Sequence, residues 1–136
     1  MKYLLDTNII IYLMKHRPPA VAARLDALDR DDVVCMSFVT FAELLAGANR
    51  SARKLEAVRR LEHLTRLIPV AYPDGSGICL HYAEQFSQLR AARTPIGGND
   101  LWIGCHALAE SATLVTNNDR EFRQLVGLSV ENWAAA

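Results

Sequence analysis

The sequence predicts an α/β fold, a parallel sheet flanked by helices on both faces, from two observations. Strand-like and helix-like patterns alternate from end to end, with no repeat, linker or low-complexity tract between them, which is how successive β-α units read. The 136 residues are 51% hydrophobic and 22% charged, a globular composition long enough for one sizeable core. Residues 1–136 are therefore expected to form one domain.

Lys2 to Asp6 reads as the first strand, with Thr7 and Asn8 starting a helix that Ile9, Ile10, Leu13 and Met14 carry toward Pro18-Pro19. A second helix spans about 20–29, with Val21, Leu25 and Leu28 on one face. Val33 to Ser37 is short, apolar and bounded by Asp31-Asp32, the pattern of a buried strand, and leads into a helix over about 38–48. Leu55, Val58, Leu61 and Leu64 mark a helix over 52–65. A weaker strand is expected at 67–70, where Pro69 needs a position without a ladder donor.

Asp74 and Ser76 are the candidate caps of the next helix, whose apolar stripe is Ile78, Tyr82, Phe86 and Leu89. After the loop Thr94-Pro95-Ile96-Gly97-Gly98, Asn99 or Asp100 caps a helix over 101–111. That helix is apolar on nearly all sides except His106 and Glu110 and is expected to be buried. Thr113 to Thr116 reads as a strand, Asn117-Asn118-Asp119 as a turn, 120–124 as a short helix and 128–130 as a last strand.

Fifteen basic and fifteen acidic residues cancel, which excludes a protein that coats nucleic acid by bulk charge. Polyanion binding must be local. Lys15, Arg17, Arg50, Arg53, Lys54, Arg59, Arg60, Arg90, Arg93, Arg120 and Arg123 are candidates for a basic rim. No apolar run approaches a bilayer span, and the acid at Asp6 comes too early for a signal peptide, so a cytoplasmic protein with no membrane contact is expected. Cys35, Cys79 and Cys105, odd in number and set among apolar neighbours, are expected to be buried thiols rather than a disulfide framework.

Three carboxylates interrupt segments where burial is expected: Asp6 at the end of the first strand, Glu43 in Phe-Ala-Glu-Leu-Leu, and Asp100 after Gly-Gly-Asn. A buried carboxylate costs free energy unless it is paired, and one divalent cation serves several at once. In a doubly wound sheet the loops after the strands share one edge, so Asp6 and the Thr116-to-Asp119 turn converge there while Glu43 and Asp100 reach in from helices. Carboxylate-held magnesium or manganese suits phosphodiester hydrolysis, because it supplies both a nucleophilic water and charge stabilisation. Each acid also has an ordinary explanation, as a cap or a solvated helix residue. Cys79, His81, Cys105 and His106 lack the spacing of a zinc site, and no phosphate-cradling glycine loop or nucleophile elbow is present.

At these residues the chain resembles the PIN-domain nucleases, and more closely the VapC toxins of bacterial VapBC toxin–antitoxin pairs. Leu5-Asp6-Thr7-Asn8, Ala42-Glu43-Leu44, Thr94-Pro95-Ile96-Gly97 with Asn99-Asp100, and Thr116-Asn117-Asn118 with Arg120-Glu121-Phe122 occur in the family's order. The closing Val130-Glu131-Asn132-Trp133 also looks like it. The resemblance implies a Mg2+- or Mn2+-dependent endoribonuclease acting on transfer or ribosomal RNA. It further implies inhibition by a VapB-type antitoxin, a five-stranded parallel sheet and a homodimer.

Carried over residue by residue, Asp6 and Asp100 match the metal-binding acids, Glu43 the acid between them, and Thr7, Asn8 and Thr116 polar positions around the pocket. One departure stands out. Many PIN domains have a fourth acid two residues after the threonine matched by Thr116, and here that residue is Asn118, leaving Asn118, Asp119 or Glu121 to complete the site and one or two metals to occupy it. A non-cleaving module that binds RNA or antitoxin is the alternative. A receiver-type phosphoacceptor domain is disfavoured, since it needs a second early acid and a late lysine.

Overall fold

A computed structural model describes residues 1–135. Five strands form one all-parallel sheet: β1 (Lys2–Leu5), β2 (Val33–Ser37), β3 (Val70–Ala71), β4 (Thr113–Val115) and β5 (Val130–Glu131), in the order β3-β2-β1-β4-β5. The helices are α1 (Thr7–Lys15), α2 (Pro19–Asp26), α3 (Phe38–Asn49), α4 (Lys54–Leu67), α5 (Gly77–Ala92), α6 (Gly98–Ala109) and the single turn α7 (Asp119–Phe122).

Alternation along β1 divides the interior into two layers. Leu4 joins Cys35, Ile103, Leu114 and Phe122 on one face, under α5 and α6. Tyr3 and Leu5 join Ile9, Ile10, Met36, Val115 and Trp133 on the other, under α1, α2 and α4. Successive strand side chains point to opposite faces, so a strand covered on both sides must be apolar throughout. That is why β1, β2 and β4 lie where their apolar runs predict. β1 is the central strand, and the chain runs outward from it through β2 and β3 on one side and β4 and β5 on the other. The crevice between the carboxyl ends of β1 and β4 is a topological switch point, where ligands of open α/β sheets bind.

The edge strands differ from expectation. β3 lies at Val70–Ala71 rather than 67–70, and Pro69 precedes it, its carbonyl accepting the Met36 N–H at 2.9 Å. β5 lies at Val130–Glu131 rather than 128–130. Helix α6 begins at Gly98, capped by Gly97, so Asn99 and Asp100 lie within its first turn rather than capping it.

Three side chains face differently from the sequence reading. Cys79 is exposed, unlike Cys35 and Cys105. On α5 the buried face carries Gln85, while Phe86 is 45% exposed. The amide of Gln85 earns its burial by a reciprocal pair with Val126, donating to its carbonyl at 2.8 Å and accepting its N–H at 3.0 Å. His106, expected on the polar side of α6, is wholly buried.

Candidate active site

Asp6 ends β1 and caps α1. Its Oδ1 accepts the Thr7 N–H at 2.8 Å, and its Oδ2 accepts the Thr116 hydroxyl at 2.7 Å and the Asn8 amide at 3.3 Å. Thr116 follows β4, and the Asp6 N–H donates to Val115 O at 2.8 Å, so the β1–β4 pairing continues up to the carboxylate. Glu43 arrives from α3, half-buried, and its Oε1 accepts the Thr7 hydroxyl at 2.7 Å; the same Thr7 oxygen lies 3.1 Å from Thr40 Oγ1. Asp100 comes from the first turn of α6. Its position beside the amino end of the helix favours an anion there.

The carboxylates act on one another. Burial pushes the Asp6 carboxyl up from the ordinary range and the charges of Glu43 and Glu121 raise it further, against the lowering effect of the Thr116 and Thr7 hydrogen bonds. Asp100 is pushed up to about 6, first by burial and then by Asp6, Glu121 and Glu43. Among the described residues none of these four acids forms an ion pair with a Lys or Arg, whereas Asp119 does. Like charges held together without a counter-cation are costly unless protonated or bridged by a metal.

The donor set fits a hard divalent cation of the magnesium type, which takes one or two direct carboxylates and keeps several waters. Among the described residues no three His, Cys, Asp or Glu side chains form a ready-made cage.

The polar turn after β4 divides its members. Asn118 Nδ2 donates to Glu121 Oε2, and the Asn118 N–H donates to Thr116 Oγ1 at 2.9 Å. Glu121 is thereby held toward the acids, and its Oε1 also accepts the Gly97 N–H at 3.3 Å. Asp119 faces away, pairing with Arg123 at 3.1 Å and accepting the Asn132 amide at 3.0 Å. Asn8 accepts the Asn117 N–H at 3.1 Å, tying the turn to α1. The structure thus brings together Asp6, Thr7, Asn8, Glu43, Asp100, Thr116 and Asn118, adds Glu121, and leaves the Asp119 carboxylate outside. Glu121 was legible only as one of three alternatives, because a one-turn helix has no periodicity from which to read its inward face.

Glu43 borders two clefts. One, of about 550 Å³, lies between α3 and α6 and includes Phe38, Asn99 and Trp102. The other, of about 560 Å³, starts at Thr7 and Glu43 and runs between α1, α3 and α4 past Lys15, Arg50 and Arg60.

An acidic pocket at the switch point of a parallel sheet ordered 3-2-1-4-5 defines a class, and the comparison with known families agrees. The family model described as PIN domain matches residues 3–128, and the chain belongs to that family. More particularly, it is 47% identical over 133 residues to Ribonuclease VapC1 of Haemophilus influenzae, covering 98% of each chain. It is 32% identical over 134 residues to the tRNA(fMet)-specific endonuclease VapC of Shigella flexneri, covering 98% of this chain and 99% of that one. The fold matches the solved VapBC-1 structure from nontypeable Haemophilus influenzae with a TM-score of 0.93 and 46% identity, over 99% of this chain and 100% of that one.

Proposed function

We propose that this chain is the ribonuclease toxin of a toxin–antitoxin pair, hydrolysing RNA phosphodiester bonds with Mg2+ or Mn2+ held by Asp6 and Asp100. The observation that carries this reading is the gathering of Asp6, Glu43, Asp100 and Glu121 at the switch point with no cationic side chain paired to them among the described residues. The names of the relatives, ribonuclease and tRNA(fMet)-specific endonuclease, supply the substrate class and favour a transfer RNA.

A bound divalent cation supplies Lewis-acid stabilisation of the phosphoryl oxygens and a readily deprotonated water. The chain's own residues do the rest. Asp6, pinned by Thr7 and Thr116, presents a fixed oxygen, and Asp100 presents a second from α6. Glu43, oriented by the Thr7 hydroxyl, positions the attacking water and takes its proton. Asn118 steadies Glu121 as the fourth acid, and Asp119 belongs to the turn. Asn8 joins the turn to α1, so Thr7, Asn8 and Thr116 shape the wall against which the substrate lies. Lys15, Arg50 and Arg60 receive phosphates beside the cut.

The partner is a VapB-type antitoxin, as in the solved VapBC assembly, and the toxin pairs with itself as a homodimer. Leu55 and Leu67 of α4, 77% and 70% exposed, are apolar surface of the kind such contacts cover. No helix among the described residues is long and apolar enough to cross a membrane, and a cytoplasmic location is part of the same proposal, since the proposed substrate is an RNA of the cell.

The test is cleavage of purified transfer RNA by wild type, Asp6→Ala and Asp100→Asn, each with Mg2+, with Mn2+ and with EDTA. Metal-dependent cutting by wild type alone is expected. Equal cutting by both variants removes the assigned site, and RNA that is retained but never shortened makes the chain a binding module.

A further inference from the structure

Ser37 and His106 meet in the core between the two helices that deliver Glu43 and Asp100. Ser37 Oγ lies 2.7 Å from His106 Nδ1 and accepts the Val39 N–H at 3.2 Å, and both residues are 0% exposed. The serine hydroxyl has one proton and, among the described residues, no acceptor other than Nδ1. Counting donors therefore sends that proton to Nδ1 and leaves the ring hydrogen on Nε2. His106 Nε2 is buried and has no hydrogen-bond partner among the described residues. A buried donor left unpaired costs about 1–3 kcal/mol, and an apolar ring in the same space would avoid that cost. Packing alone does not explain a histidine here, whereas the bond through Nδ1 does.

The bond sits at a mechanically useful place. Ser37 caps α3, six residues before Glu43, and His106 lies six residues after Asp100 in α6. At about 1.5 Å of rise per residue, it is roughly 9 Å along each helix from the carboxylate that helix carries. It is also the one side-chain hydrogen bond between α3, with its cap, and α6 among the described residues. Phe38 closes the contact with its ring 5.6 Å from the imidazole, edge to face. Burial lowers the proton affinity of His106, so the imidazole stays neutral and Nδ1 remains an acceptor.

We propose that Ser37 and His106 are a positioning pair for the nuclease reaction: their bond sets α3 against α6, and through them the separation of Glu43 from Asp100. The inference rests on the acid-site reading above. Reactions whose partners must be aligned within about 0.5 Å lose rate when a supporting contact outside the site is removed.

The variants are Ser37→Ala, His106→Phe, which keeps a ring but has no nitrogen, and His106→Asn, which restores an acceptor near the position of Nδ1. Turnover and KM on transfer RNA, Mn2+ binding by calorimetry without RNA, and thermal unfolding are measured for each. Ser37→Ala and His106→Phe are expected to lose about 10- to 100-fold in kcat, with KM within about twofold, and to bind Mn2+ about tenfold more weakly. The double variant Ser37→Ala/His106→Phe should be no worse in kcat than Ser37→Ala, which already lacks both the bond and the α3 cap, and His106→Asn should recover most of the loss of His106→Phe.

His106→Phe removes the unpaired Nε2–H but leaves the buried Ser37 hydroxyl without an acceptor, so the double variant Ser37→Ala/His106→Phe, which removes both donors, is the one expected to unfold closest to wild type. Lost turnover in a protein of undiminished stability is then not a folding defect; should this variant fail to fold, Ser37→Ala carries the test. Wild-type kcat and Mn2+ affinity in the folded variants overturn the proposal. A wild-type chain that binds Mn2+ without cutting RNA overturns the nuclease reading instead, and the calorimetry still decides the positioning.

Discussion

Thr116 donates its hydroxyl to Asp6 Oδ2 at 2.7 Å, across the parallel pairing of β4 with β1. This bond joins residues from opposite ends of the chain at its central acid. It stabilises the ionised form of Asp6 against the burial that opposes it.

Thr116→Val keeps the shape of the buried side chain and removes that donor. The Asp6 carboxyl should then hold its proton to higher pH, so Mn2+ uptake should begin at a higher pH than in wild type. Stability at neutral pH should fall by about 1 kcal/mol. Calorimetric titration across pH 5 to 8 tests this, and an unchanged pH profile would refute the role of the hydroxyl.

Asp100, like Asp6, carries a carboxylate whose charge burial opposes. Its carboxyl is raised from 3.8 to about 6 in the folded protein, so the folded state binds the proton more tightly than the unfolded one. Its unfavourable contribution is absent below about pH 3.8, grows as pH rises through 6, and is complete above. Asp100→Asn should therefore stabilise the metal-free protein at pH 7.5 by about 1 kcal/mol, a figure reduced for solvent screening of a partly exposed group. That corresponds to roughly 3–5 °C in Tm. At pH 3.5 the gain should vanish, and Mg2+ should stabilise wild type more than the variant. A lower Tm for the variant in EDTA at pH 7.5 would contradict the electrostatic account.

The two acids of the turn after β4 should separate in activity. Glu121 raises the proton affinity of both Asp6 and Asp100, whereas Asp119 is engaged with Arg123 and Asn132. Glu121→Gln is expected to reduce RNA cleavage by about 10- to 100-fold, as loss of a group supporting a metal site does. Asp119→Ala removes a partly exposed ion pair with Arg123, worth about 1 kcal/mol or less, and should leave kcat near wild type. The reverse order would reassign the fourth acid.

Gly104 holds α6 close to the segment after β4. A Cβ there would stand 2.2 Å from Leu125 Cδ1 and 3.5 Å from the Phe122 ring, and both neighbours are buried. Overpacking of this kind costs about 1–3 kcal/mol, of which the better helix propensity of alanine returns up to about 1. Gly104→Ala should lower the urea midpoint, and an unchanged midpoint would mean that Leu125 relocates freely.

The central strands and most helices are legible because their signals are local. β1, β2 and β4 are buried on both faces and must be apolar, so their position is written in the residues that form them. β3 and β5 are two-residue edge strands whose limits are set by the ladders of β2 and β4, and the chain's own pattern misplaces them. His106 and Gln85 are polar residues in buried positions, made acceptable by Ser37 and Val126, partners remote in sequence. Local periodicity sends both outward because it does not contain those partners.

By itself the sequence determined the alternation of strands and helices, the family resemblance, and the candidacy of Asp6, Glu43 and Asp100, because apolar pattern and residue type are properties of neighbours along the chain. Only the tertiary structure decided that Glu121 rather than Asp119 faces those acids, that Thr116 and Thr7 orient Asp6 and Glu43, and that Ser37 meets His106 between α3 and α6. Each of these depends on distances of a few ångströms between elements far apart in sequence. Such distances are set by how helices rotate and pack on the sheet, and no local pattern encodes them.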